Sequence, residues 1–247
     1  MIKTETRERI ATIELARPEK KNALTAAMYA AMTEMLAGAE SDAGVRAILI
    51  HGRRDCFTAG NDLKDFLEGP SGASQALRFV SALSKVGKPV VAAVGGPAVG
   101  IGTTLLLHCD LVYATPSARF QLPFVPLGLV PEAASSLLVP MVAGYQRAAA
   151  WLLLGQAFTA AEALAAGIIT EIVPDETLLE RARTAAAALA ALPPESVRLT
   201  KQLMKRPVAA AVAEQMAEEA RLFAERLQSA EAQEAMAAFI EKRKPRS

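Results

Sequence analysis

Apolar and polar residues alternate near the start of the chain, with Ile10, Ile13 and Leu15 as the apolar positions. This predicts two short strands meeting at a charged turn near Glu5–Arg9. The run Arg17–Asn22 breaks the alternation, and Thr25 then stands where it can N-cap a helix whose apolar face is Met28, Met32, Met35 and Leu36. Ala47–Ile50, Pro89–Val94 and Asp110–Ala114 read as buried strands, separated by helical stretches at Ala73–Val86 and from Ile101. Strand, helix, strand in this order predicts an α/β protein built from crossover units. From Ala133 onward helices dominate: Pro131 and Glu132 are expected to open one, and Thr159-Ala160-Ala161-Glu162 fits a capping box. Ile169–Val173 is a last strand before Asp175, the expected cap of a helix running to Leu192. Paired prolines at 193 and 194 divide the chain into a body, 1–192, and an all-helical tail, 193–247. Helices are expected near 195–205, 208–228 and 230–242, with Val208, Val212, Met216, Phe223 and Leu227 on one face. A tail of about fifty residues cannot enclose a core of its own, so it should pack on the body, on another subunit, or on both.

Composition narrows the function classes. The chain has 247 residues, 52% of them hydrophobic, and its net charge of +1 gives no basic face for nucleic acid or an anionic membrane. Two cysteines and two histidines provide neither a disulfide framework nor a thiolate or His-rich metal site. The charged N-terminal stretch has no apolar h-region, and no run of 18 apolar residues occurs, so a soluble, cytoplasmic protein without a membrane partner is expected. All fifteen glycines fall at or before Gly167, which separates a turn-rich body from a helical tail.

Three segments could carry chemistry. Small residues in Phe57–Leu63 (FTAGNDL) let a ligand approach the backbone, with Gly60 free to take positive φ; an ordinary strand-exit turn has the same composition. Gly95–Gly102 (GGPAVGIG) feeds a helix N-terminus, an arrangement suited either to an anion or to tight packing, and it is neither a dinucleotide fingerprint nor a P-loop. Leu127–Ser136 (LGLVPEAASS) contains Glu132, the sole carboxylate between Phe120 and Val139. It is either a charge–dipole contact or a base whose pKa is raised by apolar surroundings. Asp62, Lys20 and Lys21 suit ligand contacts or a solvated surface, and His51 and His108 suit local hydrogen bonds. GxSxG is absent, so no serine triad is supported.

In this order, FTAGNDL, GPAVGIG, CDLVYAT, ARFQLP, LGLVPEAASS and GQAFTAAEALAAGIITEIVP resemble the crotonase, or enoyl-CoA hydratase/isomerase, superfamily. The resemblance implies a superhelix of repeated ββα units with a C-terminal helical oligomerisation segment. It also implies a homotrimer or dimer of trimers, and an acyl-CoA thioester as substrate. Coenzyme A is then part of the substrate, and no metal or other cofactor is implied. Carried over by position, the oxyanion hole falls on the backbone N–H groups of Asn61 and Ile101. The CoA-binding residues fall on Lys20, Lys21, Ala23, Leu24, Ala59, Gly60, Asp62, Leu63 and Gly100, with Lys201 or Lys205 of a neighbouring subunit as further candidates. Hydratases of the superfamily place two glutamates where this chain has Thr104 and Phe124. Glu132 stands where peroxisomal-type Δ3,Δ2-enoyl-CoA isomerases carry their single catalytic glutamate. The resemblance therefore implies an isomerase; a hydratase, another crotonase-type reaction and a non-catalytic acyl-CoA-binding oligomer are the alternatives.

Overall fold

The computed structural model describes residues 1–63, 70–241 and 243. Strands β1 (Ile2–Arg7) and β2 (Ile10–Leu15) form the expected antiparallel hairpin, turned by Glu8 and Arg9, both at positive φ. Helix α1 (Ala26–Ser41) begins at Thr25, whose hydroxyl accepts the Met28 N–H; Met28, Met32 and Leu36 are buried and Met35 is partly so. Strands β3 (Ala47–His51), β4 (Val90–Val94), β6 (Leu111–Ala114) and β9 (Glu171–Ile172) then add in parallel, giving the sheet order β1-β2-β3-β4-β6-β9. A smaller sheet holds β5 (Pro97–Val99), β7 (Arg119–Gln121) and β8 (Phe158–Thr159).

The large sheet is covered on both faces, which is why β3 and β4 read as unbroken apolar runs. Ile48, Ile50, Val90, Ala92 and Val94 face the main core with α1 and α2 (Pro70–Lys85). Their neighbours Ala47, Leu49, Val91 and Ala93 meet the alanine-rich α7 (Leu178–Ala191) on the other face. Strands β3, β4 and β6 of the large sheet each hand on to a short segment of the second layer. After β3, Thr58 bridges to Ala98; β4 is followed by β5 and the short helix α3 (Ile101–Thr104), and β6 by β7. This is the ββα repetition that the family resemblance implied.

Three local expectations are corrected. Pro131 and Glu132 do not open a helix: α4 (Ser135–Ala143) starts after Ala133 and Ala134, both at left-handed φ. Asp175 caps nothing; α7 begins after Thr177 without a side-chain cap, and the Asp175 carboxylate accepts from the Ser117 hydroxyl. The final strand shrinks to Glu171–Ile172. The capping box at Thr159 and Glu162 is present and starts α6 (Ala160–Ala165), which follows α5 (Tyr145–Leu153).

Beyond Pro193, α8 (Pro194–Lys205), α9 (Ala209–Leu227) and α10 (Ala230–Ile240) match the expected tail. The tail docks on its own body. Phe223 is buried, Met216 and Leu227 pack against the main core, and Val208 and Val212 are half-buried. Lys201, only 6% exposed, pins α8: its ammonium donates to Asp110 Oδ2 at 2.7 Å and to the Lys88 carbonyl at 2.8 Å. Lys205 is half-buried and reaches the Ser84 carbonyl. Both lysines are thus engaged within their own chain rather than extended toward a neighbour's ligand. Lys201→Ala would leave Asp110 without its cation and should lower the unfolding free energy by about 2–3 kcal/mol. Urea denaturation reads this, and an unchanged midpoint would show that the pin contributes nothing.

Candidate active site

Two glycine turns leave neighbouring strands of the large sheet and pack against each other. In the first, Leu24 N–H donates to the Gly60 carbonyl and Asp62 N–H to the Leu24 carbonyl, so Asn61 between them turns its N–H away from Leu24. Gly60 is at φ +90, and a Cβ there would come within 2.9 Å of the Val99 carbonyl oxygen in the second turn. Gly102 is equally constrained, since its Cβ would meet the Thr58 methyl at 2.4 Å. Between these contacts Ile101 opens α3. Among the described residues neither the Asn61 nor the Ile101 backbone N–H has an internal acceptor. Two open amides on touching turns, one at a helix start, can stabilise an oxygen that gains negative charge.

The first turn is held from below. Asn22, fully buried and left-handed, accepts the Arg17 N–H at 2.8 Å and donates to the Cys56 and Phe57 carbonyls. The Thr58 hydroxyl donates to the Asn22 carbonyl and accepts the Gly60 N–H. The Tyr29 hydroxyl donates to the Asn61 side-chain oxygen. Arg17 donates to Asp62 at 2.6 Å and to the Ala23 carbonyl at 3.0 Å.

A cleft of about 880 Å³ opens over both turns. Lys20, Ala23, Ala59, Gly60, Asn61, Asp62, Leu63, Gly100 and Ile101 all lie on its wall. Lys21 and Leu24 are not among its lining residues: Lys21 is exposed in a left-handed turn, and Leu24 is buried beneath the loop it braces. Asp62 reaches the wall already paired with Arg17. The sequence reading missed Arg17 and Gln121 on the wall, and Phe223, Phe239 and Arg243, which the tail contributes. Arg17 opens the run Arg17–Asn22 that also holds Lys20 and could have been found; the tail residues carry only a packing signal.

Glu132 is 5% exposed and is not among the lining residues. Its Oε1 accepts the Thr104 hydroxyl at 2.7 Å, one turn of helix from Ile101. Burial pushes its pKa up to about 7; the Thr104 hydrogen bond opposes this and the nearby Glu219 charge adds to it. Phe124, at the other hydratase position, is a buried apolar ring on the cleft wall. His108 donates from Nε2 to the Ala133 carbonyl at 2.8 Å, and desolvation lowers its pKa to about 4, keeping the ring neutral. His51 bonds the adjacent Gly52 carbonyl. The tail also supplies a carboxylate invisible from the local sequence: Glu219 accepts the Ala134 N–H at 2.6 Å and the Ser136 N–H at 2.9 Å. Among the described residues no group of three His, Cys, Asp or Glu side chains is placed to hold a metal ion, and no helix is long and apolar enough to cross a membrane.

The sequence matches the enoyl-CoA hydratase/isomerase family over residues 5–246. The chain belongs to that family. It is 40% identical over 205 residues to enoyl-CoA delta isomerase 2 of Rattus norvegicus, a match covering 80% of this chain and 52% of that protein. The chain thus spans about half the length of this curated relative. It is 36% identical over 245 residues to 1,2-epoxyphenylacetyl-CoA isomerase of Escherichia coli, covering 96% of this chain and 94% of that protein. The crystal structure of an enoyl-CoA hydratase/isomerase from Pseudoalteromonas atlantica superimposes with a TM-score of 0.95 at 44% identity, covering 100% of this chain and 99% of that one. The ββα superhelix is accordingly the crotonase fold.

Burial of Glu132 has a stability consequence whose sign is fixed. Between the ordinary value of 4.5 and about 7 the folded chain holds a proton that the unfolded chain has lost, so this group makes stability fall as pH rises across that window. Glu132→Gln removes the effect. The variant should match the parent near pH 4 and exceed it by about 3 kcal/mol near pH 8.5. Urea midpoints at the two pH values check this; an equal gain at both would mean that Glu132 does not titrate in the folded protein as described.

Proposed function

We propose that this member of the family is a Δ3,Δ2-enoyl-CoA isomerase, shifting the double bond of a 3-enoyl-CoA to the trans-2 position. The observation that carries the reading is a buried carboxylate of pKa about 7 bonded to Thr104, one turn from an unoccupied amide at Ile101. Glu132 takes a proton from C2 of the substrate, and the electron pair moves onto the thioester oxygen. The dienolate oxygen is held by the Asn61 and Ile101 amides, where each donor is typically worth about 10²–10³ in rate. Glu132 then returns the proton at C4. One base serves both transfers, a contribution of about 10²–10⁴. The thioester arm lies along Ala59–Leu63 and Gly100, with Lys20 and Arg17 facing the CoA phosphates. Coenzyme A arrives with the substrate, and the mechanism uses no further cofactor.

Hydration is the second reading, supported by the hydratases among the relatives. It needs a group to activate water and another to protonate C2, and Thr104 and Phe124 supply neither. A non-catalytic acyl-CoA-binding protein would leave a costly buried carboxylate without use. The proposal includes a homotrimer or a dimer of trimers. Met141, Tyr145, Leu203 and Met204 are exposed on the single chain and provide apolar surface for such contacts. Light scattering should give three or six chain masses; a monomer would overturn the assembly.

Purified protein should convert a 3-enoyl-CoA to the conjugated thioester, read as a rise in ultraviolet absorbance. Its kcat should climb with pH to a plateau through about 7, because the base must be ionised. Glu132→Gln should lose about 10²–10⁴ of this activity while folding normally. Parent-level turnover in that variant, or rapid loss of crotonyl-CoA absorbance through hydration by the parent, would sink the assignment.

A further inference from the structure

Ala133 at φ 63 and Ala134 at φ 56 are consecutive left-handed residues with a Cβ, a conformation that costs about 1–2 kcal/mol at each. They follow Glu132 directly, so the backbone that aims the carboxylate is one the chain would not adopt unaided. Two side chains hold it. His108, at the end of the turn following α3, fixes the Ala133 carbonyl at 2.8 Å. From α9, Glu219 closes the other side: Oε2 accepts the Ala134 N–H at 2.6 Å, while Oε1 accepts the Ser136 N–H at 2.9 Å and the Ser136 hydroxyl. The left-handed turn thus bends its amides into a concave nest, and the occupant of the nest is a carboxylate of the chain itself. Gln215, one turn earlier on α9, donates to the Ser136 hydroxyl at 2.8 Å and completes the clamp.

Glu219 is 4% exposed, and its charge adds to the burial that raises the Glu132 pKa, while burial also raises its own. A structural anchor for α9 could have been apolar, as Phe223 is, one turn further along the same helix. We infer that Glu219 is a positioning residue for catalysis, through which the tail sets both the aim of Glu132 and the charge beside it. The inference rests on the reading of Glu132 as the base. Among the described residues, the groups that act on the Glu132 carboxyl are Thr104 from α3, through its hydrogen bond, and Glu219 from α9, through its charge. The neutral His108 touches the following residue and itself feels Lys201 and Lys205 of α8.

Kinetics of Glu219→Gln and Glu219→Asp test the role. The amide presents an N–H to one of the two backbone donors, and aspartate retreats by one methylene. Both variants should lose about tenfold to hundredfold in kcat, with KM within about twofold, since Glu219 is not among the residues lining the cleft. Glu219→Gln should also move the midpoint of the kcat–pH profile to lower pH, because a like charge has been removed. Glu219→Asp should leave that midpoint near the parent's. Variants that melt at lower temperature but keep the parent kcat and pH midpoint would reduce Glu219 to a structural anchor and overturn the proposal. Should the glutamine variant fail to fold, the aspartate variant decides on kcat alone. Titration of ¹³C-carboxyl-labelled glutamate, with the Glu132 signal assigned by its loss in Glu132→Gln, separates this inference from the isomerase reading. A Glu132 midpoint unmoved by Glu219→Gln overturns the positioning role, whereas a parent without isomerase activity overturns the assigned reaction alone.

Discussion

An ionisable carboxyl in an apolar pocket is the constraint around which the rest of the structure is arranged. Removing a carboxylate from water is costly unless hydrogen bonds or opposite charges replace the lost solvation, and Glu132 has the Thr104 hydroxyl and no cation among the described residues facing it. Its pKa therefore settles near 7, where the charged and neutral forms have similar free energies. A group so poised can take a proton and give it back with little penalty in either direction. The same desolvation makes the site thermodynamically expensive, so its geometry has to be imposed from outside the loop. His108 and Glu219 impose it, from positions 25 and 85 residues away in sequence from the atoms they hold.

The topology explains why the two open amides lie together. β3 and β4 are adjacent parallel strands, with Ile50 beside Ala92 and His51 beside Ala93, so the chain leaves both at the same edge of the sheet. Carboxyl ends of parallel strands are where open α/β sheets present their loops. Each exit then joins the second layer through the Thr58–Ala98 bridge, which brings Gly60 against Val99 and Thr58 against Gly102. Any larger residue at 60 or 102 would push the turns apart. The repeated coil is thus a device for placing successive loops side by side, and the pair of amides follows from the repeat.

Much of this was legible because it depends on short-range pattern. Alternation at Ile10–Leu15, the Thr25 cap, the apolar runs of β3 and β4 and the Thr159–Glu162 box are local signals, and each became the expected element. The glycine turns were visible as composition, though their contact with each other was not. What failed depended on partners far along the chain. Pro131-Glu132 has the composition of a helix start, but Ala133 and Ala134 take left-handed φ that only tertiary clamps sustain, delaying α4 to Ser135. Glu219 was one acid among several on an amphipathic helix, alongside Glu214, Glu218 and Glu225, and nothing in its spacing distinguishes it. Lys21 and Leu24 share a motif with residues of the cleft wall yet point elsewhere, because backbone turns decide which side chains of a motif face a ligand.

If the proposed reaction holds, Thr104 and Phe124 are where this scaffold is directed away from hydration. At Thr104 a hydroxyl replaces a potential second acid–base group and becomes a hydrogen-bond donor to Glu132. At Phe124 an apolar ring replaces the other and lines the cleft. In the proposed reaction both act in one direction: they leave Glu132 as the single acid–base group, with an apolar ring at 124. Water activation needs a proton acceptor distinct from the donor that completes addition, whereas a 1,3-proton shift needs one carboxyl that alternates between the two roles. On the proposed reading the apolar environment raises the pKa of Glu132 into the useful range and also excludes the water whose addition would compete. Selectivity for isomerisation over hydration then arises from the same desolvation that makes Glu132 a base, and requires no further catalytic residue.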